Sequence, residues 1–281
     1  MLPEPIFELM GKGVYLYGIC IAVGIMACLI VLFCYTKKAG MPEQVQDYTF
    51  MVGIIAIAVG FLFAKIFQAF YVWIETGVFD FYGAGITAMG GFVGGAATFI
   101  VVYFLAGNLV FKGKKLGLHK SNFNTILRVA PICITIAHAF GRIGCLFAGC
   151  CHGNFLGDAP VKGGLYMEGT VNGYTRWGYY VPVQLYEAIF LFLLFAALSV
   201  LFFKRSNITM QVYLVAYGIW RMIIEFFRAD AARVEDLAQG LTPSQWQSII
   251  FILIAVAMFV FYKVKKIPLI LPDDKTGQSK K

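Results

Sequence analysis

Seven apolar runs of about 20 residues each recur along the 281-residue chain and constrain its fold more than any other feature. Each is long enough to cross a bilayer, and hydrocarbon offers no partner for loose backbone groups, so each must be a helix. The runs cover residues 14–35, 48–73, 86–105, 125–147, 183–203, 210–227 and 246–262. The sequence therefore predicts an all-α integral membrane protein, a single polytopic domain over 1–281 with seven transmembrane helices. Only 14% of residues are charged, where a soluble domain carries about a quarter. The net charge of +8 does not signal a nucleic-acid partner, because no basic surface interleaved with aromatics accompanies it. The first run lacks a basic leader and a small-residue cleavage site, so it reads as a retained span.

The charge instead sets orientation. With the amino terminus outside, the inner loops hold Lys37 and Lys38, then Lys112, Lys114, Lys115 and Lys120, then Lys204 and Arg205. The last span is followed by Lys263, Lys265, Lys266, Lys275, Lys280 and Lys281, so 264–281 reads as a basic cytoplasmic tail. The outer segments carry only Lys12, Lys162, Arg176 and Arg233. This asymmetry obeys the positive-inside rule, which the inverted topology violates. Two outer segments stand out. Residues 149–180, rich in Gly, Tyr and Asn, are too long for a helix hairpin and predict a small extracytoplasmic cap. Residues 229–244 end in Thr242-Pro243, which reads as a helix start with Thr242 as N-cap.

Against this apolar background the polar residues within the spans become candidates for function, since a charge in lipid is costly. The run from His138 to Gly153 reads H-A-F-G-R-I-G-C-L-F-A-G-C-C-H-G. On a helix, His138, Arg142 and Cys145 fall at i, i+4 and i+7, which places imidazole, guanidinium and thiol on one face. In the sixth span Arg221, Glu225 and Arg228 repeat that spacing, with Arg221 and Glu225 able to pair. Arg142, Arg221 and Arg228 converging near the outer leaflet would suit a phosphate; a structural ion-pair clamp or interfacial snorkelling are the alternatives. Lys65 and Arg128 are open between snorkelling and function. In P-V-Q-L-Y-E, from Pro182, Gln184 and Glu187 share a face and Tyr186 offers an interfacial anchor. The glycines at 83, 85, 90, 91, 94 and 95 allow close approach of another backbone or a lipid chain.

Together these segments resemble the bacterial prolipoprotein diacylglyceryl transferases. The carriers, in the family's order, are Tyr17-Gly18, the glycine run around Met89, G-R-I-G-C-L-F-A-G-C-C-H-G from Gly141, P-V-Q-L-Y-E, R-M-I-I-E-F-F-R from Arg221 and G-L-T-P-S-Q-W from Gly240. The resemblance implies a multi-pass enzyme of the bacterial inner membrane, N-terminus outside and C-terminus cytoplasmic. Its partners would be phosphatidylglycerol in the bilayer and the lipobox cysteine of a prolipoprotein signal peptide. The diacylglyceryl group moves to the cysteine thiol, a thioether forms and glycerol phosphate leaves. Carried over residue by residue, it points to Tyr17, Arg142, Gly153, Arg221 and Glu225; the glycine and polar patterning adds Gly90, Gly91, Gln184, Tyr186 and Arg228 as candidate substrate contacts. Two rivals remain: a paralogue that binds anionic lipid without transfer, and the same chemistry on another thiol acceptor.

The chain departs from the family pattern where chemistry is expected. Met89 stands where many members have a histidine, and Cys145 and Cys150 fall within a run that elsewhere carries two asparagines and a glutamate. His138, one turn from Arg142, is the candidate to replace the missing base, with Glu225 second. Cys150, Cys151 and His152, with Cys145 and His138, invite a zinc reading. Adjacent cysteines lack the usual C-x2–4-C spacing, so no metal and no cofactor is expected. A disulfide is open on the outer side, but not between the vicinal pair itself.

Overall fold

The computed structural model describes residues 5–9, 12–83, 85–171, 174–228 and 241–271. Eight helices are defined: α1 (Leu16–Lys38), α2 (Glu43–Thr76), α3 (Ala88–Val110), α4 (Leu118–Ser121), α5 (Phe123–Ala148), α6 (Val183–Phe203), α7 (Thr209–Glu225) and α8 (Pro243–Val264). Five short strands lie in the connections: β1 (Phe7–Leu9), β2 (Lys12–Val14), β3 (Phe155–Gly157), β4 (Leu165–Val171) and β5 (Tyr174–Tyr180). Six helices, α1, α2, α3, α5, α6 and α8, are long and apolar enough to cross a membrane. The chain is thus an all-α, multi-span membrane bundle with minor β structure outside the spans. Helix α7 has 17 residues, a length of about 26 Å against about 30 Å of hydrocarbon.

The chain divides into two compact units, residues 32–126 and residues 1–31 with 127–281. In the first, α2 and α3 pack so closely that only small residues fit. A Cβ on Gly90 would lie 2.7 Å from Phe67 Cβ, and one on Gly60 would lie 3.0 Å from the Gly91 carbonyl. Packing of this kind accounts for the glycine run. Lys65 donates to the Tyr82 carbonyl at 2.9 Å, which satisfies its ammonium within the protein. Beyond α3, the buried His119 lies among the rings of Tyr103, Phe104 and Phe111. Burial, with Lys120 beside it, pushes the His119 imidazole below its ordinary pKa.

In the second unit, α1 and α5 cross through two glycines. A Cβ on Gly24 would come within 3.0 Å of the Ala137 carbonyl, and one on Gly144 within 3.1 Å of the Tyr17 ring. Helices α7 and α8 meet similarly at Gly218, against the Ser248 carbonyl and Ile252. Arg128, which the sequence left between snorkelling and function, does neither. Only 6% exposed, it donates through Nε to the Ser206 carbonyl at 3.0 Å and stacks its guanidinium on Phe202. A cation there suits the negative end of α6, and Arg128 Nη2 also donates to the Phe202 carbonyl at 3.4 Å. Thr209 Oγ1 donates back to the Arg128 carbonyl at 2.9 Å, so α7 begins beside the start of α5. At the other end of α7, Arg228 forms a backbone bridge with Gly153, just beyond the end of α5.

The connection between α5 and α6 is a three-stranded antiparallel sheet, order β3-β5-β4, with Leu165 through Val171 facing Tyr180 through Tyr174. Its inner side buries Met167, Tyr180 and His152. The start of the basic tail packs on the α6–α7 turn, where the Leu271 N–H donates to the Arg205 carbonyl at 2.9 Å. Thr242 caps α8 in a capping box with Gln245, as its sequence predicts. Residues 229–240, with Arg233, and the tail beyond 271 lie outside the described residues.

Candidate active site

Glu187 is the hub of the polar cluster, and it was the residue least valued in the sequence. Fully buried on the first turns of α6, its carboxylate reaches two other helices. Arg142 Nε of α5 lies 3.0 Å from Oε2, a charge pair without the alignment of a hydrogen bond. Tyr217 of α7 donates its hydroxyl to Oε1 at 3.2 Å. His138 Nε2 stands 3.7 Å from the same oxygen, and its ring meets Tyr217 edge to face at 5.3 Å between centroids. The sequence signal was present: Glu187 is the one acidic residue of an otherwise apolar helix, three positions after Gln184.

The spacing on α7 behaves as read from sequence. Arg221 Nη2 lies 3.2 Å from Glu225 Oε2 and donates to Ser244 Oγ of α8 at 2.7 Å. Its Nη1, although buried, has no hydrogen-bond partner among the described residues. Arg228 acts electrostatically on both Glu187 and Cys151. Arg142 thus pairs with Glu187 and Arg221 with Glu225. A guanidinium with a buried, unused N–H donor, in surroundings of low dielectric, suits an anion.

The remaining site residues divide between support and the cysteine turn. Gly153 donates to the Val181 carbonyl at 2.9 Å. A Cβ there would lie 2.7 Å from Val183 Cγ2, so the residue must be small for the Arg228 bridge to form. Gln184, 1% exposed, donates to the Cys150 carbonyl at 2.6 Å and fixes the turn after α5. Tyr186 is 38% exposed and donates to the Gly163 carbonyl at 3.2 Å. Gly90 and Gly91 belong to the α2–α3 contact in the other unit.

Tyr17, resting on Gly144, lies within electrostatic range of Arg142 and of Cys145, Cys150 and Cys151. Those three cysteines converge. All are free thiols, and their Sγ atoms lie within 4.8 Å of one another. The sequence raised this grouping and set it aside, because adjacent cysteines lack the usual zinc-ligand spacing. The backbone resolves it: Gly149 and Cys151 adopt φ of 70° and 59°. The left-handed turn at Cys151, uncommon for a residue with a Cβ, folds both side chains of the pair toward Cys145. Hydrogen bonds from the Cys145 and Cys150 thiols, aided by Arg228 and Arg142, draw Cys151 well below the ordinary thiol range. Cys150 is pushed correspondingly up, chiefly by the same thiol contacts.

Comparison with known proteins agrees with the resemblance. Residues 4–261 match the family described as prolipoprotein diacylglyceryl transferase. A phosphatidylglycerol–prolipoprotein diacylglyceryl transferase from Clostridium tetani is 30% identical over 275 residues, covering 93% of this chain and 98% of the relative. One from Dehalococcoides mccartyi strain BAV1 is 30% identical, covering 89% of each chain. A third, from Streptococcus sanguinis, is 28% identical over 272 residues. The chain belongs to the prolipoprotein diacylglyceryl transferase family.

Proposed function

We propose that this chain transfers the diacylglyceryl group of phosphatidylglycerol to the lipobox cysteine of prolipoproteins at the cluster centred on Glu187. The observation that carries the reading is the convergence of two guanidiniums, Arg142 held by Glu187 and Arg221 held by Glu225, with the buried Nη1 donor of Arg221 unused among the described residues. The thiolate attacks the glyceryl carbon, the C–O bond to phosphate breaks, and glycerol phosphate departs with an added negative charge. Guanidinium groups already in place stabilise that charge as it develops. Arg221 offers the unused Nη1 donor. Glu187 and Glu225 hold Arg142 and Arg221 in position.

His138 faces Glu187 and Tyr217. It lies seven residues, or about 10 Å of helix, before Cys145. This supports a positioning role toward Glu187 in place of the base role expected from sequence. Gln184 and Gly153 keep the turn and the Arg228 junction in register, and Tyr17 borders the thiols.

The topology that fits is seven crossings in the bacterial inner membrane, with the amino terminus outside and the tail in the cytoplasm. Support comes from α7, which starts at the Thr209–Arg128 contact near the beginning of α5 and ends at the Arg228–Gly153 bridge beyond the end of α5. The sheet between α5 and α6 is then the extracytoplasmic cap. The test is phosphatidylglycerol-dependent release of glycerol phosphate by purified protein given a lipobox peptide. Arg142→Ala and Arg221→Ala should each reduce release by about 100-fold or more, the usual worth of a charge-stabilising donor. Release that survives either substitution sinks the assignment. The altered run at Met89, Cys145 and Cys150 favours one rival, a lipid-binding paralogue, which would retain phosphatidylglycerol and form no product.

A further inference from the structure

We propose that Cys145, Cys150 and Cys151 form a tris-thiolate site for a zinc ion whose fourth position receives the acceptor thiol. The inference rests on the transfer reading above for its role in the reaction, though not for metal binding itself.

Three thiols from two parts of the chain converge: one on the last turns of α5, two on the turn that follows. Their sulfurs lie within 4.8 Å of one another. Tetrahedral zinc with Zn–S bonds of about 2.3 Å spaces its sulfurs by about 3.8 Å, a contraction that small side-chain rotations supply. The turn that brings them together carries strain, since Cys151 sits at φ 59°. Backbone strain of this kind persists where surrounding structure holds it, here the 2.6 Å hydrogen bond from Gln184 to the Cys150 carbonyl. Thiolate sulfur selects soft or borderline cations and excludes magnesium and calcium.

Charge and access agree with this occupant. Three thiolates on Zn2+ leave a net charge of about −1, and Arg142 and Arg228, both acting on Cys151, compensate it. His152 is turned away, buried against Tyr180 with Nδ1 at 2.9 Å from the Gly153 carbonyl, so it is not a fourth ligand. Cys150 is exposed, which opens the cluster on one side. Three protein ligands and an open position are the pattern of catalytic rather than structural zinc. A thiol that coordinates there loses its proton to water and remains as a nucleophilic thiolate. It then attacks the glyceryl carbon, the sulfur–carbon bond replaces the carbon–oxygen bond, and glycerol phosphate leaves as the dianion. No oxidant or reductant is required.

The experiment uses the full chain purified in detergent under reducing conditions. Elemental analysis should find about one zinc per chain, retained in Cys34→Ser and lost in Cys145→Ser and Cys151→Ser. Co2+ added after chelation should give thiolate-to-cobalt charge-transfer absorption. That band should shift on adding a lipobox peptide and stay unchanged with its Cys→Ser counterpart. The cobalt spectrum of the unmutated protein needs no variant to fold, so the inference stays testable if the serine variants misfold. Chelation should lower transfer by about 100-fold or more, and zinc should restore it. Absence of both zinc and cobalt uptake, or a disulfide within the trio in the reduced preparation, overturns the site. Full transfer by the chelated enzyme overturns its role. A peptide-dependent cobalt shift without any transfer would instead refute the proposed function and leave the metal site standing.

Discussion

Replacing Glu187 with Gln removes one charge and leaves the shape of the cluster nearly unchanged. At 3.0 Å from Arg142 Nε, the lost attraction is about 5 kcal/mol at an effective dielectric constant of 20. Much of that offsets the cost of burying the carboxylate. The net penalty follows from leaving a buried guanidinium unpaired, about 3 to 5 kcal/mol. Two consequences separate a hub from a bystander. In detergent without lipid, Glu187→Gln should unfold at markedly lower temperature, and phosphatidylglycerol should recover part of the loss, because its phosphate replaces the missing anion. Turnover at saturating lipid should fall by about 10- to 100-fold, or about 1.4 to 2.7 kcal/mol in the barrier. The fall reflects a guanidinium no longer aimed at the leaving phosphate. Thermal denaturation with and without phosphatidylglycerol, together with initial rates of glycerol phosphate release, measures both. Wild-type melting and turnover within about twofold would refute the reasoning. Lost stability with unchanged turnover would reduce Glu187 to a structural clamp.

Four further outcomes follow from the same geometry. Ser244→Ala, which removes the 2.7 Å acceptor of Arg221, should raise KM for phosphatidylglycerol several-fold; unchanged KM and kcat would detach Arg221 from lipid binding. His138→Gln should keep the pH–rate profile and lose less than about 10-fold in kcat, whereas loss of the alkaline plateau would restore it as the base. Gly153→Ala must displace Val181, Val183 or the Phe227 carbonyl, at a cost of about 1 to 3 kcal/mol; denaturation that matches wild type would contradict the junction. His119 is held neutral by burial, with a folded pKa below the unfolded value. Its stabilising contribution is therefore intact above about pH 6.5 and declines as pH falls below it. Melting curves between about pH 8 and about pH 5.5 should fall for wild type and flatten for His119→Gln; parallel curves would contradict this.

The spans were legible because hydrocarbon forces long apolar runs into helices. The run at 183–203 reappears as α6 with the same bounds, and Thr242 caps α8 as read. Pairing of Arg221 with Glu225 was legible too, since it needs only one helix. What the sequence hid depended on contacts between helices. Glu187 looks ordinary on α6 until Arg142, His138 and Tyr217 arrive from α5 and α7. Arg128 gains its meaning from carbonyls more than 70 positions away. The β4–β5 pairing was foreseeable, since Asn172-Gly173 separates two short runs, the second rich in aromatics, and Asn-Gly is a strong hairpin signal. The thiol trio was raised from the sequence and set aside, because its convergence depends on a left-handed turn at a non-glycine residue.

The most direct test of the central claim is the mass of a lipobox peptide after incubation with the purified chain and phosphatidylglycerol. The account predicts a gain equal to one diacylglyceryl group on the cysteine sulfur, glycerol phosphate released in equal amount, and no change to the Cys→Ser peptide. An unmodified cysteine peptide, with phosphatidylglycerol bound yet intact, would contradict it.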